Sequence, residues 1–388
     1  MSSDSLHPSL ERALSTVHDP ELRRPITELG MVDFAQIEGA TAQVGILLTI
    51  EGCPLRNTIE HDVREAVLLV DGVEQVEVSV GVMTPEQRGK LKESLGHVKK
   101  NPFTEENSLT RVFAVVSGKG GVGKSSMTAN LAAAFAAQGL LVGIVDADIH
   151  GFSIPGLFGI TQAPTQWEEM ILPPVVEVPS SLPGQSGTAS TPGCVKVISI
   201  GMFVEGNQPV AWRGPMLHRA LEQFLTDVHF GALDVLLLDL PPGTGDIAIS
   251  MSQLLPNAEL LLVSTPQHAA VDVAERAGTL SLQTNQKVAG VIENMAAMVL
   301  PDGSTLEIFG AGGGRQLSER LTEALGYEVP LLGSVPLDTQ VRAGGDDGTP
   351  IVWEHPDSPA AQKIYAIAKS LAHRERGLAG KTLPFTLA

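Results

Sequence analysis

Cysteine is nearly absent, with only Cys53 and Cys194 in 388 residues. Two thiols exclude a disulfide framework and are too few for a zinc or iron-sulfur site within one subunit, so a cysteine-ligated metal would have to be shared between chains. Positive charge is also scarce: 26 Lys and Arg stand against 44 Asp and Glu, a formal net charge of -18. That field repels phosphate backbones and anionic lipid, and no local basic patch opposes it, which argues against nucleic acid or membrane as partners. Long apolar runs are missing too. The hydrophobic residues, 43% of the chain, come in short stretches broken by Gly and Pro, below the ~18 consecutive residues of a spanning helix. The N-terminal MSSDSLHPSLERAL lacks the basic start and apolar middle of an export signal. The expected location is cytoplasmic.

At 388 residues the chain exceeds one ordinary domain, and a prior of roughly 150 residues per domain predicts two or three. Residues 1–97 read as helix, strand over 42–50, helix from Arg56 and strand over 73–80, a small α+β domain. The polar stretch 98–109, with Pro102, reads as a linker. From 110 to 376 the runs RVFAVVS, LLVGIVDAD, VKVISIGMF, ALDVLLLDL, AELLLVSTP, KVAGVIENM and VPLLGSVPL alternate with helical segments. Alternation of this kind predicts an α/β, doubly wound, mostly parallel sheet covered on both faces, with ligands at the carboxyl ends of its strands. The Pro, Ser, Gly and Gln-rich stretch 161–193 reads as a long surface loop without chemistry, and 377–388 as a tail.

The chemistry concentrates after the strand of residues 111–117. It runs into Gly118-Lys119-Gly120-Gly121-Val122-Gly123-Lys124-Ser125-Ser126 and then a helix, the strand, glycine loop, helix context of a P-loop. Glycines let backbone N–H groups face the phosphates, and the helix N-terminus adds its dipole. Lys124 is expected on the β and γ phosphates and Ser125 on magnesium, so the implied cofactors are ATP and Mg2+. A strand ending in Asp146-Ala147-Asp148 puts two carboxylates beside the loop, and the apolar Val235–Leu238 delivers Asp239 in the Walker B position, which holds magnesium through water. Asp246 reads equally as an N-cap or as a switch-two residue. No Asn/Thr-Lys-x-Asp guanine signature is visible, so ATP is expected over GTP.

Lys119, at the second loop position, resembles the deviant form of the septum-positioning, chromosome-partition and nitrogenase iron-protein ATPases. By that resemblance Lys119 is catalytic in trans across a homodimer, Asp148 positions the attacking water and assists the metal, and Asn294 and Pro336 help to read adenine. The strings SGKGGVGKSS, VDADIHGFSIPGLFG, WRGPM, LLLDLPPGTGDI, VSTPQ and GVIENM further resemble the Mrp (ApbC-type) iron-sulfur cluster carrier ATPases, and DPELRRPITELGMV with TIEGCPLR resembles their PaaD-like cluster-assembly accessory domain. This likeness implies an ATP-hydrolysing iron-sulfur cluster carrier or assembly factor that serves apoprotein clients and meets other assembly factors. The readings it competes with are an ATP-driven adaptor without its own cluster and a partition or positioning ATPase.

Two departures stand out. Phe152 occupies a position where that branch has proline, and Leu300-Pro301-Asp302-Gly303 stands in place of its cluster-binding Cys-x-x-Cys. Cys53, in Gly52-Cys53-Pro54 before a helix, is the remaining candidate for a cluster or transfer thiol, because a helix dipole favours thiolate. A packed loop cysteine is the equally weighted alternative. Cys194 reads as a small residue at the core's edge.

Overall fold

The computed structural model describes residues 6–49, 55–95, 101–105, 108–148, 151–167, 170–180, 182, 193–203, 214–243, 246–300 and 302–374. They divide into two compact units.

The smaller unit takes in the N-terminal residues through Lys99, together with two later excursions, Pro164–Val175 and Asp227–Gly231. It opens with α1 (Pro8–Leu14), β1 (Val32–Glu38), β2 (Thr41–Leu48), α2 (Arg56–Leu68), β3 (Gln75–Val82) and α3 (Pro85–Ser94). The strands form one sheet in the order β1-β2-β3, with β1 antiparallel and β3 parallel to β2. α2 supplies the crossover that a parallel β2–β3 pair requires. Its apolar spacing, Ile59, Val63 and Val67, is the four-residue period of one helix face, and all three are buried. β1 was not anticipated, because only Ala35 within VDFAQIE is buried and the strand carries almost no apolar alternation.

The larger unit is built on β4 (Arg111–Val116), α4 (Lys124–Ala136), β5 (Leu141–Asp146) and α5 (Ile154–Leu157). The chain then makes the hairpin β6 (Thr165–Trp167) and β7 (Met170–Leu172), followed by β8 (Val175–Glu177), β9 (Cys194–Ser199) and α6 (Gly214–Thr226). It continues through β10 (Val235–Asp239), α7 (Asp246–Leu254), β11 (Glu259–Ser264), α8 (His268–Thr279), α9 (Ser281–Thr284) and β12 (Lys287–Ala296). A second hairpin, β13 (Met298–Val299) and β14 (Thr305–Leu306), precedes α10 (Gly313–Leu325), β15 (Leu331–Pro336), α11 (Thr339–Asp347), α12 (Ile351–Glu354) and α13 (Pro359–Ala372).

Eight strands form one sheet in the order β15-β12-β11-β4-β10-β5-β9-β8, and every pairing from β15 to β9 is parallel. The doubly wound expectation holds. β4, β5 and β10 sit at the centre with nearly every residue buried, as strands covered on both faces must be. α4 is buried on almost its whole circumference, which its alanines permit by allowing close approach. Phe135 of α4 stacks on Phe113 of β4 at 6.5 Å between ring centroids, and the Trp353 indole N–H donates to the Ala133 carbonyl at 3.0 Å. These contacts fix the helix whose first turn carries the phosphate-binding residues.

The stretch 161–193, read from composition as loop, contains three strands. Trp167, Met170 and Leu172 of its hairpin are buried in the core of the smaller unit with Leu10, Ile26 and Val63. Thr165 donates from its hydroxyl to Glu21 Oε1 at 2.6 Å, and Ile171 exchanges backbone hydrogen bonds with Asp227 and His229. The polar residues around this hairpin masked three apolar side chains whose partners lie more than a hundred residues away.

Candidate functional site

The end of β4 is continued by Ser117 and a loop that closes at Lys124, the first residue of α4. Two glycines there are required by distinct contacts. A Cβ at Gly118 would lie 2.4 Å from the Ala274 nitrogen and 2.5 Å from the Val273 carbonyl carbon, because the loop runs directly against the backbone of α8. Gly123, the N-cap of α4, has φ +80°, and a Cβ on it would meet Asn294 Nδ2 at 2.2 Å. Gly243 N donates to the Ser117 carbonyl at 2.9 Å, tying the loop to the segment after β10.

Register brings the acids together. Asp239 pairs with Asp146 on one neighbour, β5, and with Val115 on the other, β4. Lys124 Nζ lies 2.7 Å from Asp239 Oδ2 and 3.9 Å from Asp148 Oδ2, with its side chain 6% exposed. Ser125 donates to Asp239 Oδ2 at 2.6 Å, and the Thr128 hydroxyl lies 2.8 Å from Asp239 Oδ1. Asp239 is therefore buried but richly hydrogen-bonded, as a buried carboxylate must be. The loop lysine is thus paired with the very carboxylate expected to serve a metal.

Asp146 plays a different part. Its Oδ2 accepts from Ser199 Oγ at 3.0 Å and from the Ser153 and Ile154 amides at 3.2 and 3.3 Å, while Oδ1 accepts from the Asp148 amide at 3.3 Å. Burial pushes this carboxyl up to about 7, and the nearby Asp239 charge adds to the shift, while the Ser199 hydroxyl and the backbone amides pull against it. Asp146 thus hydrogen-bonds the backbone that presents Asp148.

Lys119 Nζ lies 3.0 Å from Gln267 Oε1, with both residues half-buried. Asn294 Nδ2 donates to the Val122 carbonyl at 2.9 Å. Beside it opens a cavity of about 890 Å³ lined by Gly123, Ser126, Phe152, Asn294, Pro336 and Asp338 among others. Phe152 is accommodated because residue 201 is glycine: a Cβ there would meet the Phe152 ring at 2.3 Å.

Cys53 is outside the described residues, as is the side chain of Asp246, whose backbone opens α7. Cys194 is fully buried at the start of β9. Leu300 and Gly303 close the turn of the β13–β14 hairpin, where Leu300 N donates to the Ser304 carbonyl at 2.8 Å. Among the described residues no group of three or more His, Cys, Asp or Glu side chains is placed to hold a metal ion, and no helix is long and apolar enough to cross a membrane.

Sequence reasoning missed Thr128, Ser199 and Gln267. Thr128 was within reach of it, since four residues after Lys124 is the same helix face. Ser199 and Gln267 gave no local signal; only strand register and the turn before α8 bring them in.

A glycine loop between a buried parallel strand and a helix, with Lys124 and a Walker B carboxylate converging at 2.7 Å, defines a P-loop NTPase. Residues 108–372 match the family described as NUBPL iron-transfer P-loop NTPase, and residues 9–80 match the family described as iron-sulfur cluster assembly protein. The chain belongs to the iron-transfer P-loop NTPase family. It is 56% identical over 382 residues to the iron-sulfur cluster carrier protein of Mycobacterium leprae, covering 97% of this chain and 96% of that one. With the iron-sulfur cluster carrier protein of Deinococcus radiodurans it shares 42% identity over 95% of each chain. A nucleotide-binding protein from Archaeoglobus fulgidus, solved in complex with ADP, aligns with a TM-score of 0.52 and 32% identity over 68% of this chain and 95% of that one. These similarities do not favour the partition or positioning reading.

Proposed function

We propose that the protein is an ATP-hydrolysing iron-sulfur cluster carrier or assembly factor that works as a cytoplasmic homodimer and delivers clusters to apoprotein clients, without nucleic acid or membrane as partners. The observation that carries the hydrolytic half is the convergence of Lys124, Ser125, Asp148 and Asp239 at the mouth of the glycine loop. Membership of the iron-transfer family supports the cargo.

Phosphoryl transfer asks the protein mainly for positioning and charge neutralisation. Lys124 exchanges Asp239 for the β and γ phosphates, and the loop amides from Gly118 to Ser126 cradle their oxygens. The donor set at Ser125, Asp239 and Asp148 is hard oxygen, which suits magnesium, and magnesium would supply charge neutralisation between the β and γ phosphates. Asp148, presented by the amides that Asp146 anchors, orients the attacking water. Asn294 and Pro336 face the cavity that takes adenosine. Lys119 acts across the dimer on the partner's phosphates. Its replacement is therefore expected to lower turnover more than affinity: in Lys119→Ala, kcat should fall by about 10²-fold while ATP Kd changes by less than about threefold. Equal losses in steady-state kinetics and in equilibrium nucleotide titration would argue against action in trans.

The cargo side rests on Cys53. Two copies per dimer give two thiolates where four are usual for a cluster, and the Cys-x-x-Cys position is a hydrogen-bonded turn. Anaerobic reconstitution with iron and sulfide is expected to give occupancy well below one cluster per dimer, and Cys53→Ala is expected to remove it. A robust stoichiometric cluster in that variant, by absorbance and metal analysis, would overturn the assignment.

A further inference from the structure

The side chain of Gln267 is free of the duty its position would suggest. Gln267 is the N-cap of α8, with φ -66° and ψ 132°, yet its side chain makes no capping hydrogen bond. Its amide oxygen instead accepts from Lys119 Nζ at 3.0 Å. The two are held in a fixed relation, because the backbone of Gly118 lies against that of Val273 and Ala274 two turns along the same helix, with no room for a Cβ. The loop is packed backbone to backbone on α8, and Lys119 meets a neutral carbonyl oxygen at the start of that helix.

We propose that Gln267 is a positioning residue that parks the Lys119 ammonium in its own subunit and yields it to the partner's phosphates when two ATP-bound chains meet. This rests on the reading of Lys119 as a residue acting in trans. The chemistry favours a reversible hold. A neutral amide oxygen satisfies an ammonium well enough to order it, but a polyphosphate carrying several negative charges accepts from it more strongly. Release leaves behind only a half-exposed amide that water can satisfy. A carboxylate at the same place would form an ion pair and compete with the partner's phosphates. A lone subunit thus holds its lysine on Gln267, and dimer formation is the event that frees it.

The test is a set of Gln267 substitutions in two backgrounds, read as ATP turnover against protein concentration and as ATP-dependent dimerisation by light scattering. Gln267→Glu is expected to lower kcat about tenfold because an ion pair replaces the ammonium–amide bond, with ATP KM changed by less than about twofold. Gln267→Ala is expected to lower the protein concentration for half-maximal dimerisation about fivefold, the scale of one half-exposed hydrogen bond. Gln267→Asn, whose amide falls one methylene short of Lys119, should follow Gln267→Ala. In a Lys119→Ala background all three changes should vanish, a cancellation that a merely structural role for Gln267 would not produce. The proposal is overturned if Gln267→Glu matches wild type, or if the shifts persist without Lys119. If Lys119→Ala is impaired while the Gln267 variants are silent, the latch alone fails. If Lys119→Ala by itself alters neither turnover nor dimerisation, action in trans fails and takes the latch with it.

Discussion

Lys124→Ala is expected to lower ATP turnover by about 10²- to 10³-fold, because the missing ammonium is the largest charge the protein itself brings to the transferring phosphoryl group. The structure adds a second consequence. Lys124 is paired at 2.7 Å with Asp239, whose side chain has no exposure at all. Breaking a buried pair by removing one partner costs about 3–5 kcal/mol, since the other charge stays behind without compensation. Asp239 keeps the Ser125 and Thr128 hydroxyls, at 2.6 and 2.8 Å, so the loss should sit at the low end, about 3 kcal/mol. Ser125→Ala should be milder in stability, because the ion pair remains. Turnover must therefore be normalised to folded protein, with denaturant unfolding of the nucleotide-free chain run alongside. A stable Lys124→Ala protein with near-normal turnover would end the P-loop reading.

The parts of this site that were legible in the sequence are those whose partners are neighbours along the chain. The glycine loop, the strand before it and the helix after it form one continuous segment, so Gly118 through Ser126 could be placed directly. Asp239 was legible for a similar reason: a five-residue apolar run, fully buried as β10, can hardly be anything but a central strand, and the acid closing it must lie at the ligand end of a parallel sheet. What failed was anything that register or packing creates. Asp146 and Asp239 face each other only because β5 and β10 pair in register, and Ser199 reaches Asp146 across fifty-three residues for the same reason. The hairpin carrying Trp167 and Met170 was hidden by its polar, proline-rich surroundings, since composition averages over a window and a core needs only a few residues from it. Phe152 looked like an isolated departure from the family, and its explanation is the glycine at 201, which no local pattern ties to it.

Gly123→Ala is expected to weaken nucleotide binding by about 10²-fold or more, and the geometry separates its two causes. One is conformational: φ is +80°, a left-handed region where a Cβ costs about 1–2 kcal/mol. The other is steric, since the added carbon would lie 2.2 Å from Asn294 Nδ2. That amide cannot simply turn away, because it donates to the Val122 carbonyl at 2.9 Å and leaving that buried acceptor unmet costs a further 1–3 kcal/mol or about that. Nor can the loop retreat as a whole, because Gly118 at its other end is pressed against the backbone of α8. Gly121 provides the comparison, with φ +79° but nothing within 4 Å of an added Cβ. Unfolding free energies measured without nucleotide should therefore fall in order: Gly121→Ala loses the conformational part alone, and Gly123→Ala loses both parts. Measured against the Asn294→Ala chain, in which the clash is gone, Gly123→Ala should cost no more than Gly121→Ala costs in the wild type. Equal losses for Gly121→Ala and Gly123→Ala in the wild-type chain would mean that Asn294 does not brace the loop, and its place at the nucleotide would have to be assigned on other grounds.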